Sequence, residues 1–287
     1  MKILVFGTSG MIGHAMFRVL SENAEWEVFG TLRNVRDLQF FPSMQKRIVT
    51  GVDVNSHDAL VRVFSEVRPD VVVNCIGLTK HHKEAADPLQ AIPINALLPH
   101  RMAQLCEVVN ARFIHVSTDC VFSGKDGLYR EDAFPDANDL YGKSKFLGEV
   151  NNERALTLRT STIGHELQSA YGLLEWFLAQ ENECKGFKRA IFSGLPNVVF
   201  AQVVRDIVLV RPELHGLYHV GAAPIDKFDL LSQIAAIYRK KIKINPDEDF
   251  SIDRSLDVTR FTNATGYVAP DWPTLLEQMY LSQYPQK

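Results

Sequence analysis

The first thirteen residues restrict the fold more than any other stretch of the chain. Lys2 to Phe6 reads as a buried parallel strand, a row of apolar residues closed by a glycine. Gly7-Thr8-Ser9-Gly10-Met11-Ile12-Gly13 follows, and a helical run from His14 to Leu20 comes directly after it. Strand, glycine-rich turn and helix in that order open a βαβ unit suited to a dinucleotide. Gly7 permits the tight turn, Gly10 lets the backbone approach a pyrophosphate, and Gly13 lets helix and strand pack closely. Free amides at the helix N-terminus then face the phosphate oxygens.

The next strand, Glu27 to Leu32, bears on which dinucleotide binds. A site for NAD places an acid about 20 residues beyond the glycines, where it binds the ribose 2′-hydroxyl. Here Arg33 stands 20 positions after Gly13, with Arg36 nearby and no acid before Asp37. A guanidinium there suits a 2′-phosphate, which points to NADPH; the plainer alternative is a solvated arginine.

Alternating units continue down the chain. Strand-like runs at 47–54, 71–77, 112–116 and 155–159 are separated by helical segments near 58–67 and 93–108. This alternation predicts an α/β fold, a doubly wound parallel sheet of Rossmann type, with its site at the C-terminal ends of the strands. Asn74 and Thr118 both fall at such ends. Asp53 and Val54 fall where a third strand end meets an adenine ring, although Asp53 equally suits a cap of the helix that follows. Beyond residue 160 the pattern loosens. Helices are expected near 171–180, 201–209, 227–238 and 274–282, with short strands at 190–193 and 217–220. The expected organisation is a cofactor-binding domain over 1–160, its sheet completed by elements near 190–210, and a smaller C-terminal α/β substrate-binding lobe over 161–287.

Composition narrows the partners. A formal charge of −3 and a pI near 6.3 give no reason to expect nucleic acid or an anionic membrane. No apolar run approaches the roughly 18 residues of a membrane span, and the chain opens on a strand rather than a basic leader. The four cysteines form no CxxC pair, which fits buried thiols in a reducing compartment. A cytoplasmic protein is expected. His81-His82 invites a metal reading, but no further ligands stand at suitable spacing, so no metal is expected. Nothing in the sequence decides the quaternary state, and a homodimer is one expectation.

Tyr141 and Lys145 stand four residues apart at the start of a helical run, so they share a helix face. A neighbouring ammonium favours the phenolate and is expected to lower the tyrosine's pKa. Thr118, at the end of a central strand, offers a hydroxyl to a substrate oxygen. Reduction of a ketone needs a hydride, a proton and a group that holds the oxygen as charge builds. The glycine loop with NADPH, Tyr141 and Thr118 supply these in turn.

Taken together, GTSGMIG, STDCVFSG and YREDAFPDANDLYGKSKFLGE resemble the extended short-chain dehydrogenase/reductases, and within them the dTDP-4-dehydrorhamnose reductase family. Tyr129, Glu131 and Asp132 match that family's Tyr-x-Glu-x-Asp element, and Leu158-Arg159-Thr160-Ser161 its post-catalytic strand. The resemblance implies Thr118, Tyr141 and Lys145 as catalytic residues. It implies a cofactor lined by Gly7, Gly10, Met11, Ile12, Gly13, Arg33, Asp53, Val54, Cys75, Ile76 and Gly77, with Lys145 on the nicotinamide ribose. Asn95 matches the family's helical asparagine, which supports a proton-relay water. The implied reaction is NADPH-dependent reduction of a nucleotide-linked 4-keto-6-deoxyhexose for polysaccharide synthesis.

Departures cluster where the sugar should bind. Cys120 replaces a tyrosine, Ile191-Phe192-Ser193-Gly194 lacks the usual Asp-Gln, and the 164–167 and 174–177 stretches are unlike the common rhamnose enzymes. A UDP-linked N-acetylated 4-keto-6-deoxy sugar is therefore a serious candidate beside dTDP-4-dehydrorhamnose. A nucleotide-sugar epimerase or dehydratase is a rival reading, although Cys120 stands where dehydratases put a second acid. A non-catalytic NADP-binding regulatory subunit is another. In the substrate lobe, Arg254 is the candidate diphosphate clamp. Trp176 suits either stacking on the base or sugar, or core packing with Leu173, Leu174 and Phe177. Arg159 reads as a packed or ion-paired residue.

Overall fold

The computed structural model describes residues 1–80, 83–168 and 170–284. The first half runs β1 (Lys2–Phe6), α1 (Met11–Leu20), β2 (Glu27–Thr31), β3 (Ile48–Val49), α2 (His57–Val67), β4 (Val71–Asn74), α3 (Pro88–Ala91), α4 (Leu98–Val109), β5 (Arg112–Thr118), α5 (Leu140–Leu147) and β6 (Ala155–Thr160). The second half runs β7 (Thr162–Ile163), α6 (Leu173–Ala179), β8 (Glu183–Phe192), β9 (Leu195–Pro196), α7 (Asn197–Val203), β10 (Gly216–His219), β11 (Ile225–Asp226), α8 (Lys227–Ile237), β12 (Lys243–Asp253), α9 (Thr259–Thr265) and α10 (Trp272–Gln283).

Seven strands form one sheet in the order β10-β6-β5-β4-β1-β2-β3, and every neighbouring pair is parallel. Alternate residues of each strand serve different cores, as the two-residue period of a strand requires. Ile3, Val5, Val71, Val73, Ile114 and Val116 join the core that contains Met16 and Phe17 of α1. Leu4, Phe6, Val72 and Phe113 join the opposite core with Leu60 and Phe64 of α2 and Met102 of α4. Helices thus cover both faces, which is why these strands read as unbroken apolar runs. The chain moves outward one way through β2 and β3 and the other way through β4, β5 and β6, so the order reverses between β1 and β4. A doubly wound sheet opens its binding crevice beyond the strand ends at such a reversal.

The strand that completes the sheet is Gly216–His219, later than the 190–210 region expected to supply it. That region is instead β9 and α7, and α7 packs on α1 with Val199 and Phe200 in the first core. A three-stranded sheet is β11-β8-β12, in which β8 pairs antiparallel with β11 and parallel with β12, and β7 and β9 form a short parallel pair of their own. The chain therefore leaves the main sheet after β6, returns for α7 and β10, leaves again for β11 to β12, and returns for α10. Arg112 on β5 clamps one return, donating to the Val208 and Leu214 carbonyls at 2.8 Å each. Arg18 on α1 donates to the Ser282 carbonyl at 3.0 Å and holds the other.

Candidate active site

Gly7 has φ +84°, and a Cβ there would lie 2.9 Å from Ile76 Cγ1. The first glycine therefore meets the end of β4 at the point where the strand order reverses, and brings Gly7, Cys75 and Ile76 together. A Cβ on Gly13 would fall 2.0 Å from the Gly7 carbonyl oxygen, so only glycine lets α1 approach its strand. Gly10 is the N-cap of α1 and offers no side chain to the first-turn amides, which leaves those of Met11 and Ile12 free for an anion. The loop has the donor set and the shape that a dinucleotide pyrophosphate needs.

Arg33 lies exposed just past β2, while Arg36 is drawn to Asp37 at 3.7 Å. Asp53 accepts from the Asn55 N–H at 3.0 Å and does not cap α2; Ser56 does, accepting from the Ala59 N–H at 3.2 Å. A serine directly before the first turn is better placed than an aspartate three residues earlier.

Thr118 ends β5, and Tyr141 lies in the first turn of α5. Asp139 caps α5, accepting from the Gly142 N–H at 2.7 Å. A Cβ on Gly142 would come within 2.2 Å of the Cys120 carbonyl oxygen, so the turn sits directly on the segment after Thr118. Thr118 Oγ1 donates to Asp119 Oδ1 and accepts from the Cys120 N–H, both at 3.1 Å. The Thr118 hydroxyl also contacts the Tyr141 phenol. Burial pushes that phenol well above its ordinary pKa, with Cys120, Asp119 and Asp139 adding to the rise and Thr118 opposing it.

Lys145 corrects the expectation drawn from its spacing. Its ammonium is 4% exposed and turns to the strand, donating to the Val116 carbonyl at 2.8 Å and standing 3.5 Å from His115 Nε2. It is not among the groups that act on Tyr141, whose pKa is raised, not lowered. Spacing puts two residues on one helix face, but side-chain rotation decides where a long lysine ends. Burial brings Lys145 down to about 8, against the pull of Glu149 and Cys75.

Asn95 lies in a π-helical stretch, Ile92–Leu97, a distortion common at functional sites. It accepts from the Leu78 N–H at 2.8 Å, and donates to the Leu78 carbonyl at 3.0 Å and to Ser144 Oγ at 3.1 Å. A Cβ on Gly77 would lie 3.5 Å from Asn95 Oδ1 and 3.8 Å from Lys145 Nζ. The asparagine thus ties the loop after β4 to α5.

Two buried groups support this geometry, and the sequence left the first of them, His115, unread. His115 bridges Lys145 to Asn74, whose side chain in turn accepts from the Ile76 N–H at 3.0 Å. Arg159, 2% exposed, makes a two-pronged pair with Glu149, Nε and Nη2 each at 2.7 Å. Ser117 also donates to Glu149, at 2.6 Å, and Phe122 lies under the guanidinium. Arg159 is therefore an ion-paired core residue, as expected.

In the second lobe, Arg254 Nε donates to the Phe122 carbonyl at 2.8 Å, which brings the residue to the segment after Thr118. Trp176 is 39% exposed, and among the described residues its ring makes no aromatic or cation–π contact. The buried face of α6 is Leu174 and Phe177. The exposure of Trp176 sets aside the core alternative and leaves its ring open to a base or sugar. Among the described residues no group of three or more His, Cys, Asp or Glu side chains gathers to hold a metal, and His81 and His82 lie outside them. No helix among them is long and apolar enough to cross a membrane.

The family model described as the RmlD substrate binding domain matches residues 1–280. The chain belongs to this family. One relative in it, the dTDP-4-dehydrorhamnose reductase of Aggregatibacter actinomycetemcomitans, is 23% identical over 97% of this chain and 98% of its own length. The methionine adenosyltransferase 2 subunit beta of Xenopus laevis is 30% identical over 82% of this chain and 71% of its own length. Among solved structures, the dTDP-4-dehydrorhamnose reductase of Bacillus anthracis str. Ames in complex with NADP superposes with a TM-score of 0.80. That comparison covers 98% of this chain and 99% of the other at 20% identity, a likeness of fold. The expected family and the expected doubly wound fold both hold.

Proposed function

We propose that the chain is an NADPH-dependent oxidoreductase that reduces the 4-keto group of a nucleotide-linked 4-keto-6-deoxyhexose in polysaccharide precursor synthesis. Either dTDP-4-dehydrorhamnose or a UDP-linked N-acetylated relative fits the site. One observation carries the reading: the Thr118 hydroxyl contacts a Tyr141 phenol that burial keeps protonated, at the strand ends beside the glycine loop. Family membership, reductases among the relatives and a structural neighbour holding NADP support it.

The first-turn amides of Met11 and Ile12 would hold the pyrophosphate of NADPH and Arg33 its 2′-phosphate, and the bound cofactor would supply the hydride. Thr118 binds the ketone oxygen, and Tyr141 passes its proton to that oxygen as charge builds. A phenol with a raised pKa is held protonated at neutral pH, the state from which reduction draws its proton. Lys145 keeps N–H donors beyond the one spent on the Val116 carbonyl, and they are available to the nicotinamide ribose. Asn95 keeps the loop after β4 in register with α5.

Cys120 weighs against a dehydratase, because burial pushes its thiol up to about 12 and it cannot stand in for a second acid. The 30% identity to a methionine adenosyltransferase subunit favours a regulatory reading as the second choice. A panel of dTDP-, UDP- and GDP-linked 4-keto sugars, assayed by NADPH oxidation, separates them. Turnover of at least one sugar is expected, and Tyr141→Phe lowers kcat about 10²- to 10⁴-fold while NADPH still binds. No oxidation with any sugar overturns the reading, and full activity in Tyr141→Phe overturns the choice of acid. A cytoplasmic homodimer completes the proposal, with light scattering to test the assembly.

A further inference from the structure

Asn197, 5% exposed, bridges the glycine loop and the second lobe. Its position follows from a short strand pair. Ile163 of β7 registers with Pro196 of β9, so Gly164 and Asn197 leave the two strands side by side. A Cβ on Gly164 would lie 2.2 Å from Asn197 Oδ1 and 2.6 Å from its Nδ2, so only glycine leaves room for the amide. The stretch 164–167 is one of the departures from the common rhamnose enzymes, and its glycine has a physical reason here.

Both ends of the side-chain amide are engaged. Oδ1 accepts from the Val198 N–H at 2.8 Å, which leaves Nδ2 as the donor. Nδ2 donates to the Met11 carbonyl at 3.0 Å and reaches the His165 carbonyl at 3.4 Å. His165 is held in its turn, with Nδ1 2.7 Å from Glu175 Oε1 on α6 and Nε2 2.9 Å from the hydroxyl of Tyr238, directly after α8. One end of the bridge therefore rests on the second lobe and the other on the first turn of α1.

The Met11 carbonyl and the Ile12 N–H belong to one planar peptide group. A donor on the carbonyl fixes the direction of the N–H on the opposite side of that plane, and polarises it. This N–H is among the first-turn amides of α1 that have no partner within the helix. Rotation of the peptide would turn it away from an anion on the loop.

We propose that Asn197 is a positioning residue for the cofactor, holding the Met11–Ile12 peptide so that the Ile12 N–H meets the dinucleotide pyrophosphate. The assignment rests on the cofactor reading above, with NADPH on the glycine loop. Because Asn197 acts through that peptide, it bears on the pyrophosphate and not on the 2′-phosphate, which falls to Arg33.

Fluorescence titration of the full chain with NADPH, and competition by 2′-AMP, test this. The competitor keeps the adenosine and the 2′-phosphate and lacks the pyrophosphate. Asn197→Ala and Gly164→Ala should each weaken NADPH about three- to tenfold, the effect of one hydrogen bond, and leave 2′-AMP within about twofold of wild type. Gly164→Ala displaces the amide without removing it, so it keeps the test valid should Asn197→Ala disturb α7. If both variants bind NADPH as tightly as wild type, or lose 2′-AMP in the same proportion as NADPH, the assignment is wrong while the cofactor reading stands. If wild type binds no NADPH, the cofactor reading falls and takes the assignment with it.

Discussion

Lys145 Nζ stands 3.5 Å from His115 Nε2, and the position of the histidine's proton follows from its other nitrogen. Asn74 Oδ1 accepts from the Ile76 N–H, so its Nδ2 is the donor that meets His115 Nδ1 at 3.1 Å. The neutral imidazole then carries its proton on Nε2, facing the lysine. Burial, with help from Lys145, holds His115 well below its ordinary pKa and so keeps it neutral. Two donors face one another, which fits the long separation and leaves the Val116 carbonyl as the acceptor for Lys145.

The lysine's burial predicts a pH-dependent stability. Its folded pKa is about 8, against about 10.4 in an unfolded chain. Between these values the unfolded chain binds more protons, so this residue's contribution to stability rises with pH. Raised thiols and Tyr141 act in the opposite sense at high pH, so the comparison must be with Lys145→Met. The wild type should gain on that variant by up to about 1.4 kcal/mol per pH unit from pH 8 to pH 10 in urea unfolding. A constant difference would show that the ammonium is not strained by burial.

Gly13→Ala should abolish NADPH binding in a fluorescence titration, because a Cβ 2.0 Å from the Gly7 carbonyl forces the phosphate loop out of place. The far-UV circular dichroism should stay near wild type, since the sheet does not depend on the loop. Retained affinity would mean that the loop does not hold the cofactor.

Arg33→Ser should weaken NADPH binding about tenfold or more and leave NADH nearly untouched, as the role proposed for the guanidinium on the 2′-phosphate requires. Equal losses for both cofactors would make Arg33 a general contributor to the fold.

Glu149→Leu should destabilise the chain by about 3–5 kcal/mol, since it leaves the Arg159 guanidinium buried without its partner. The double variant Glu149→Leu with Arg159→Met should recover most of that loss. Urea unfolding of the two variants reads both effects, and a small loss in the single variant would show that Arg159 finds water.

What the sequence made legible follows the physics of each element. Strands β1 and β4 to β6 are buried on both faces, and their unbroken apolar runs stand out against polar surroundings. β12 was missed because Lys243–Asp253 holds Pro246 and four acids and has no alternation. It is an edge strand with a bulge between Asp247 and Ser251, where one side faces solvent and proline and charge are tolerated. At the site, Thr118 and Tyr141 are legible because strand end and helix start position them directly. The turn of Lys145 toward β5 is a choice of rotamer, and spacing does not encode it.

The repeated passage of the chain between the two sheets has a practical consequence for anyone wishing to change the sugar. No single splice near residue 160 would exchange the substrate wall, because β10 seals the edge of β6 and α10 packs with α1 from the far side of such a cut. A chimera has to carry two separate inserts, about 161–193 and 223–258, and keep the host's own 195–219 and 259–284 as frame. The same threading leaves the two walls joined by several covalent strands, so the cleft can widen only by rocking on all of them together and never by swinging on one.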